Sequence, residues 1–270
     1  MSLAAADYAH EVNVNVSNLF SLEGEKAIIV GGGSGIGKAT ATLFSEAGAD
    51  VAIADINVDS AREASAELSA LGSRSLAVQV DVADPISVGK MVETVLTEFE
   101  CVDILVNSAG INRRIPAENL EETDWDAVVD INLKGTFLTC QHVGRHMIGQ
   151  KSGKIINLAS MSGLVTNKGK TNTVYCSSKG GVIMLTKSLA VEWARHNIRV
   201  NAIAPGYVKT PLTRAWMEDP VASKPTLDLI PLGRFCETTE IASSALYLAA
   251  RASSYLTGSI LIVDGGYTCY

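Results

Sequence analysis

Between positions 26 and 266 the chain alternates short, almost wholly apolar runs with longer segments of helical length, and that alternation restricts its fold more than any other feature. The runs are KAIIV (26–30), VAIAD (51–55), SLAVQVDV (75–82), VDILVNSAG (102–110), GKIINLAS (153–160), IRVNAIAP (198–205) and SILIVDGG (259–266). Apolar residues in succession mark strands buried on both faces, the pattern of a parallel sheet covered by helices. The segments between them are long enough for crossover helices. The expected architecture is α/β: a single-domain Rossmann fold, with a doubly wound, seven-stranded parallel sheet and helices on both faces. No linker, repeat or low-complexity tract interrupts 21–266. Residues 21–270 are therefore expected to form one dinucleotide-binding domain, with 1–20 as an N-terminal extension.

Charge and cysteine usage exclude several classes of function. The net charge of −7 is spread along the chain, with no Lys/Arg block to face a nucleic acid. Residues 1–20 hold no Lys or Arg and carry Asp7 and Glu11, unlike a signal peptide, and no apolar stretch is long enough to span a bilayer. A cytoplasmic protein with a small-molecule partner is expected, without nucleic acid or membrane. The five cysteines are scattered without a C-x-x-C pair, and the four histidines show no ligand spacing and are expected on the surface. No metal is expected.

The residues that carry chemistry cluster at the ends of the apolar runs. In IIVGGGSGIGKAT, Gly31, Gly35 and Gly37 form a G-x-x-x-G-x-G turn between a strand and a helix, with Ser34 and Ile36 in the same loop. Glycines permit positive φ and close approach, and the helix start favours an anion, so the turn suits a pyrophosphate. Asp55 ends the second run, 18 residues after Gly37. A carboxylate there would accept hydrogen bonds from ribose hydroxyls and repel a 2′-phosphate, which favours NAD over NADP. Asp81 and Val82 end the third run and could bracket an adenine, or the Asp could simply cap a helix. Asn107, Ala109 and Gly110 in NSAG let a cofactor or a neighbouring backbone come close. Asn132 falls mid-helix, where Asn is unfavourable; it either faces solvent or holds a kink and a water. Ser160 ends the fifth run, at the sheet edge where open α/β sheets bind ligands. The stretch TVYCSSKGG then puts Tyr175 and Lys179 at i and i+4 on one helix face, an ammonium beside a phenol. That pair is common enough by chance to need the Ser, the glycine turn and Asp55 as context.

In order and type these motifs resemble the short-chain dehydrogenase/reductase family: GGGSGIG, DV at Asp81, NSAG, the Asn of INLKGTF, NLASMSG, YCSSK, and PG followed by Thr210. The resemblance covers 21–266. Val30 stands where the family often has Thr, and Ser108 where NNAG is usual. Ser160 and Tyr175 are 15 apart, longer than the commonest family spacing; Ser162 would restore it, but Ser160 keeps the S-x-x-G pattern with Gly163. The resemblance implies that Tyr175 is a general acid/base, that Lys179 lowers its pKa and binds the nicotinamide ribose, that Ser160 holds the reacting oxygen, and that Asn132 keeps a water. It further implies a cofactor loop at Pro205, Gly206, Val208 and Thr210, and a homotetramer.

The substrate loops, about 110–125 and 206–236, are less defined. Arg113 and Arg114 in AGINRR could clamp an oxyanion, and this segment resembles that of gluconate 5-dehydrogenases and related sugar-acid dehydrogenases. Arg113, Ser160, Ser162 and Trp216 are the candidate substrate contacts, the last in a stretch expected to form a short helical lid. The leading expectation is an NAD-dependent dehydrogenase of a sugar, sugar acid or polyol. The alternatives are a 3-oxoacyl thioester reductase and a silent dinucleotide sensor.

Overall fold

The structure, a computed structural model, describes residues 15–269; positions 1–14 of the expected extension lie outside it. All seven expected strands form one parallel sheet: β1 (Lys26–Val30), β2 (Asp50–Asp55), β3 (Ser75–Gln79), β4 (Ile104–Asn107), β5 (Gly153–Leu158), β6 (Ile198–Pro205) and β7 (Ile260–Val263). Their spatial order is 3-2-1-4-5-6-7, so the order reverses between β1 and β4. That reversal opens a crevice at the carboxyl edge, the usual ligand position in such sheets. The third strand stops at Gln79, short of Asp81 and Val82, which occupy the following turn.

The period-2 geometry of strands explains why the runs are apolar throughout. Ala27 and Ile29 of β1 join Ile104, Val106 and Ile156 in a core layer beneath α2 (Gly35–Glu46), α3 (Val58–Ala70) and α10 (Thr238–Ala249), while α1 (Val16–Phe20) has no buried residue. The alternate residues Ile28 and Val30 join Leu105 and Ile155 in the opposite layer, against α4 (Pro85–Phe99), α6 (Gly135–Gln150) and α7 (Thr173–Trp193). The short helix α5 (Glu122–Val129) runs into α6 through a single π-type turn at Asp130–Lys134. Two further short helices, α8 (Arg214–Met217) and α9 (Pro220–Leu227), follow β6, where the sequence suggests a lid.

Register aligns the strand ends that build the site. Val30 pairs with Asn107, and Asn107 with Asn157. The two asparagines are buried and bonded to each other, Asn107 Nδ2 donating to Asn157 Oδ1 at 2.9 Å, with Thr139 and Thr186 taking the remaining bonds. Buried amides need partners, and this chain of bonds ties β4 and β5 to α6 and α7 directly behind the crevice.

Candidate active site

The first part of the site is a cleft of about 340 Å³ over the ends of β1, β2 and β4. Gly31 and Gly35 have φ of +74° and +55°, and a Cβ on Gly31 would come within 2.6 Å of Ala109 N. Ser34 caps α2 without a side-chain bond and lines the cleft with Gly35 and Ile36, so the start of α2 keeps amides available to a phosphate. Gly37 serves a different purpose from the one the sequence suggests: it does not line the cleft, and a Cβ there would sit 2.0 Å from Gly31 O. It lets α2 close onto the turn. Asp55 Oδ2 accepts from Gly33 N and Oδ1 from Asn57 N, both at 3.0 Å, fixing the carboxylate at the cleft wall. Ser34, Ile36, Asp81, Val82, Ala109, Gly110 and Thr210 also line the cleft, and none of its lining residues is Lys or Arg. The shape, the helix-start amides and the fixed carboxylate fit a dinucleotide.

Asn107 does not reach this cleft; its amide is used up in the buried network behind it. Of the two sequence readings of Asn132, the solvent-facing one does not hold: the residue is wholly buried and sits in the π-type turn, the kink of the second reading. Its Oδ1 accepts from Ile111 N at 2.8 Å, and its Nδ2 donates to Ile111 O and Ser178 Oγ. The side chain thus clamps the backbone that follows Gly110.

The second part is a larger cavity of about 500 Å³ over β5 and β6, sharing Ser108, Gly110 and Thr210 with the first. Ser160, Tyr175 and Lys179 meet on its wall. Lys179, on α7, is buried; its Nζ donates to Leu158 O at 2.6 Å and lies 5.9 Å from the Tyr175 ring centroid. Gly163 makes this possible, since a Cβ there would come within 2.6 Å of the Lys179 backbone. Burial pushes the Tyr175 phenol above its ordinary value, and its hydrogen bond with Ser160 acts in the opposite direction. Burial also lowers the Lys179 ammonium from 10.5 to about 8. Both shifts express one cause: an enclosed site disfavours charge.

Pro205, Gly206, Val208 and Thr210 line the same cavity, and Thr213 braces that loop by donating to Val208 O and accepting from Thr210 N. Ser162 lines the cavity too, but its hydroxyl is donated to Asn167 Oδ1 at 2.6 Å, which leaves Ser160 as the serine bonded to the phenol. Trp216 lines the far wall. Of the arginine pair, Arg113 turns away and pairs with Asp124 at 3.1 Å, so Arg114 is the one that reaches the cavity. Asn112, Asn167, Lys170 and Tyr207 also line it; the sequence marked the loop at 165–173 only by its length. The described histidines, His142 and His146 on α6 and His196 in the turn after α7, are half-buried. Among the described residues no group of three or more His, Cys, Asp or Glu could hold a metal, and no helix is long and apolar enough to cross a membrane.

A Rossmann sheet whose edge carries a glycine-lined cleft beside a Ser, Tyr and Lys cluster defines a class of dinucleotide-dependent oxidoreductase. Residues 31–268 match the family model described as enoyl-(acyl carrier protein) reductase. The chain belongs to the short-chain dehydrogenase/reductase family, whose members use a nicotinamide cofactor, and it is an oxidoreductase of that type. It is 42% identical over 245 residues to the 3-oxoacyl-(acyl-carrier-protein) reductase of Thermotoga maritima, covering 91% of this chain and 98% of the relative. It is 41% identical over 261 residues to the D-threitol dehydrogenase of Mycolicibacterium smegmatis, covering 96% and 98%. Among solved structures it is similar to a gluconate 5-dehydrogenase from Burkholderia cenocepacia in complex with NADP and tartrate, with a TM-score of 0.90 and 37% identity, covering 95% of this chain and 100% of the other.

Proposed function

We propose that the protein is an NAD-dependent dehydrogenase of a secondary alcohol on a sugar, sugar acid or polyol, working reversibly with the matching ketone. The observation that carries this reading is the convergence of Ser160, Tyr175 and Lys179 on one wall of the larger cavity, beside the glycine-lined cleft. A bound oxidised nicotinamide would accept the hydride from the alcohol carbon and bring a positive charge near the phenol. The chain supplies the rest. Ser160 Oγ hydrogen-bonds the reacting oxygen, and Tyr175 Oη takes its proton in oxidation and returns it in reduction. The Lys179 ammonium opposes the effect of burial on Tyr175, favouring the phenolate. Asn132 keeps the Gly110–Ile111 backbone in place, so that cleft and cavity stay in register.

NAD is preferred on the strength of Asp55: its fixed carboxylate can accept from both ribose hydroxyls and would repel a 2′-phosphate, and no cation lines the cleft to offset that repulsion. The Burkholderia relative with bound NADP makes this point testable. A sugar or polyol substrate is supported by the names of the D-threitol and gluconate relatives. Similarity to the Thermotoga protein favours a second reading, reduction of a 3-oxoacyl thioester. The two separate in one assay, in which NADH or NADPH formation or consumption is followed across alditols, aldonates, their keto forms and 3-oxoacyl thioesters. The expected outcome is NAD-linked turnover of a carbohydrate; turnover of the thioester alone, with NADPH, would replace the first reading with the second. A cytoplasmic homotetramer, with residues 21–270 as its single domain, completes the proposal, and light scattering would check the assembly.

A further inference from the structure

The larger cavity differs in charge from the rest of the chain. The protein carries −7 overall, yet the side chains lining this cavity include Arg114, Lys170 and Lys179 and no aspartate or glutamate. Lys179 is engaged by Leu158 O and faces Tyr175. Arg114 and Lys170 make no ion pair among the described residues, in contrast to the adjacent Arg113. Instead both lie against the ring of Trp216, the Arg114 guanidinium 5.8 Å and the Lys170 ammonium 4.7 Å from its centroid. A ring face offsets part of the cost of gathering two cations but brings no opposite charge. The cost is visible at Lys170, which is lowered from its ordinary value first by burial and then by Arg114.

This wall is held in place from behind. Trp216 packs on Tyr207 and Phe235, with centroids 5.9 and 5.7 Å away, and Tyr207 packs on Tyr267. The loop that carries Lys170 is pinned by buried Asn167. Its Oδ1 accepts from Ser162 Oγ at 2.6 Å and Asn172 Nδ2 at 3.1 Å, its Nδ2 donates to Tyr207 Oη at 3.1 Å, and its carbonyl accepts from Lys170 N. An independent observation comes from Asn112, also on the cavity wall: its Oδ1 is buried without a hydrogen-bond partner. A buried acceptor left unpaired is costly, and a ligand hydroxyl would satisfy it. The dinucleotide cleft, lined by Asp55 and Asp81 and by no cation, is not where these charges act.

We propose that Arg114 and Lys170 form an oxyanion subsite and that Asn112 accepts a substrate hydroxyl, so that the substrate is a short polyhydroxylated acid with its anionic end against Trp216 and a secondary alcohol at Ser160 and Tyr175. The inference rests on the catalytic reading above for the second half of that placement. Lys170, carried by the lengthened loop, is then a specificity-determining residue. A carboxylate and a phosphate ester share the required chemistry, and the ligand series below tells them apart.

The test is calorimetric titration of the full chain saturated with NADH, using four- to six-carbon aldonates, the alditols of the same configuration, and the corresponding alditol phosphates. The anionic ligand is expected to bind about tenfold or more tighter than its neutral counterpart, as a charge-assisted pair implies. That ratio should fall about tenfold in Arg114→Gln and in Lys170→Gln, and Lys170→Arg should retain it. Tightest binding by the aldonate assigns a carboxylate, and tightest binding by the phosphate assigns a phosphate ester. A ratio near one in the wild type, or an unchanged ratio in both glutamine variants, would overturn the subsite. The two readings fail separately. Preferential acid binding without NADH formation from any alcohol would leave the subsite and remove the catalytic assignment, whereas oxidation of alditols with no preference for acids would do the reverse.

Discussion

The cleft over β1, β2 and β4 and the cavity over β5 and β6 meet at Ser108, Gly110 and Thr210, yet they are built from different materials. The cleft is made of backbone at strand ends, with glycines at positive φ, and its charged lining residues are Asp55 and Asp81. The cavity is made of side chains from three loops and α7, and its charged lining residues are Arg114, Lys170 and Lys179. A site built from strand-end backbone is fixed by sheet register and helix placement. One built from loop side chains is free to change with the ligand. The sharing of charge follows the same division: the cleft can hold a pyrophosphate through helix-start amides without cations, so cations remain available to read the substrate.

The largest expected effect comes from adding one methyl group on each side. Gly37→Ala puts a carbon 2.0 Å from Gly31 O, with backbone on both sides and nothing to yield; a loss of about 3 kcal/mol or more is expected in urea denaturation. Gly169→Ala, in the loop that carries Lys170, has φ +72° but nothing within 4 Å, so only the left-handed backbone is penalised, by about 1 kcal/mol. Equal losses would contradict the distinction between a register-fixed cleft and an adaptable loop.

Lys179 gives the next largest effect, through pH. Its folded value of about 8 lies below the ordinary 10.5, so on raising the pH the folded protein releases this proton before the unfolded chain does. Below pH 8 the cost of burying the charge is fully present; between 8 and 10.5 the unfolded chain binds more protons and stability rises. Relative to Lys179→Met, the cofactor-free wild type should gain stability across that window, by about 3 kcal/mol at the upper end. A difference between the two proteins that stays flat from pH 7 to 10 would show that the ammonium is not buried at this cost.

The smallest effect concerns the acid in the cleft. Asp55→Ala should reduce the preference for NADH over NADPH by about tenfold, read from binding constants by fluorescence. An unchanged ratio would mean that the carboxylate held by Gly33 N and Asn57 N does not read the ribose.

The same division decides what could be read from the sequence. All seven strands were legible because burial on both faces leaves an unbroken apolar signature, and the glycine turn, Asp55, Ser160, Tyr175 and Lys179 were legible because they lie at strand ends or on a helix face with a fixed period. Where side chains leave that scaffold, the signal fades. Arg113 and Arg114 are adjacent in a loop without periodicity, and only the ion pair with Asp124 shows which one turns outward. The length of the loop at 165–173 was visible, but not that Asn167 would pin it and aim Lys170 at Trp216. Asn132 was ambiguous because local propensity argues against an interior helical Asn, and its compensation, two bonds to the Ile111 backbone, comes from a segment 21 residues away. Asn107 and Gly37 carry the right motif letters but act in packing behind the cleft.

In the proposed mechanism Tyr175 moves the proton from the cavity wall, while the cofactor is held by the adjoining cleft. The most direct measurement compares wild type and Tyr175→Phe for NADH formation on the best carbohydrate substrate and for NADH binding by fluorescence. The account predicts a fall in turnover of about a thousandfold or more, with NADH affinity nearly unchanged. Turnover above a few per cent of the wild-type rate would contradict it.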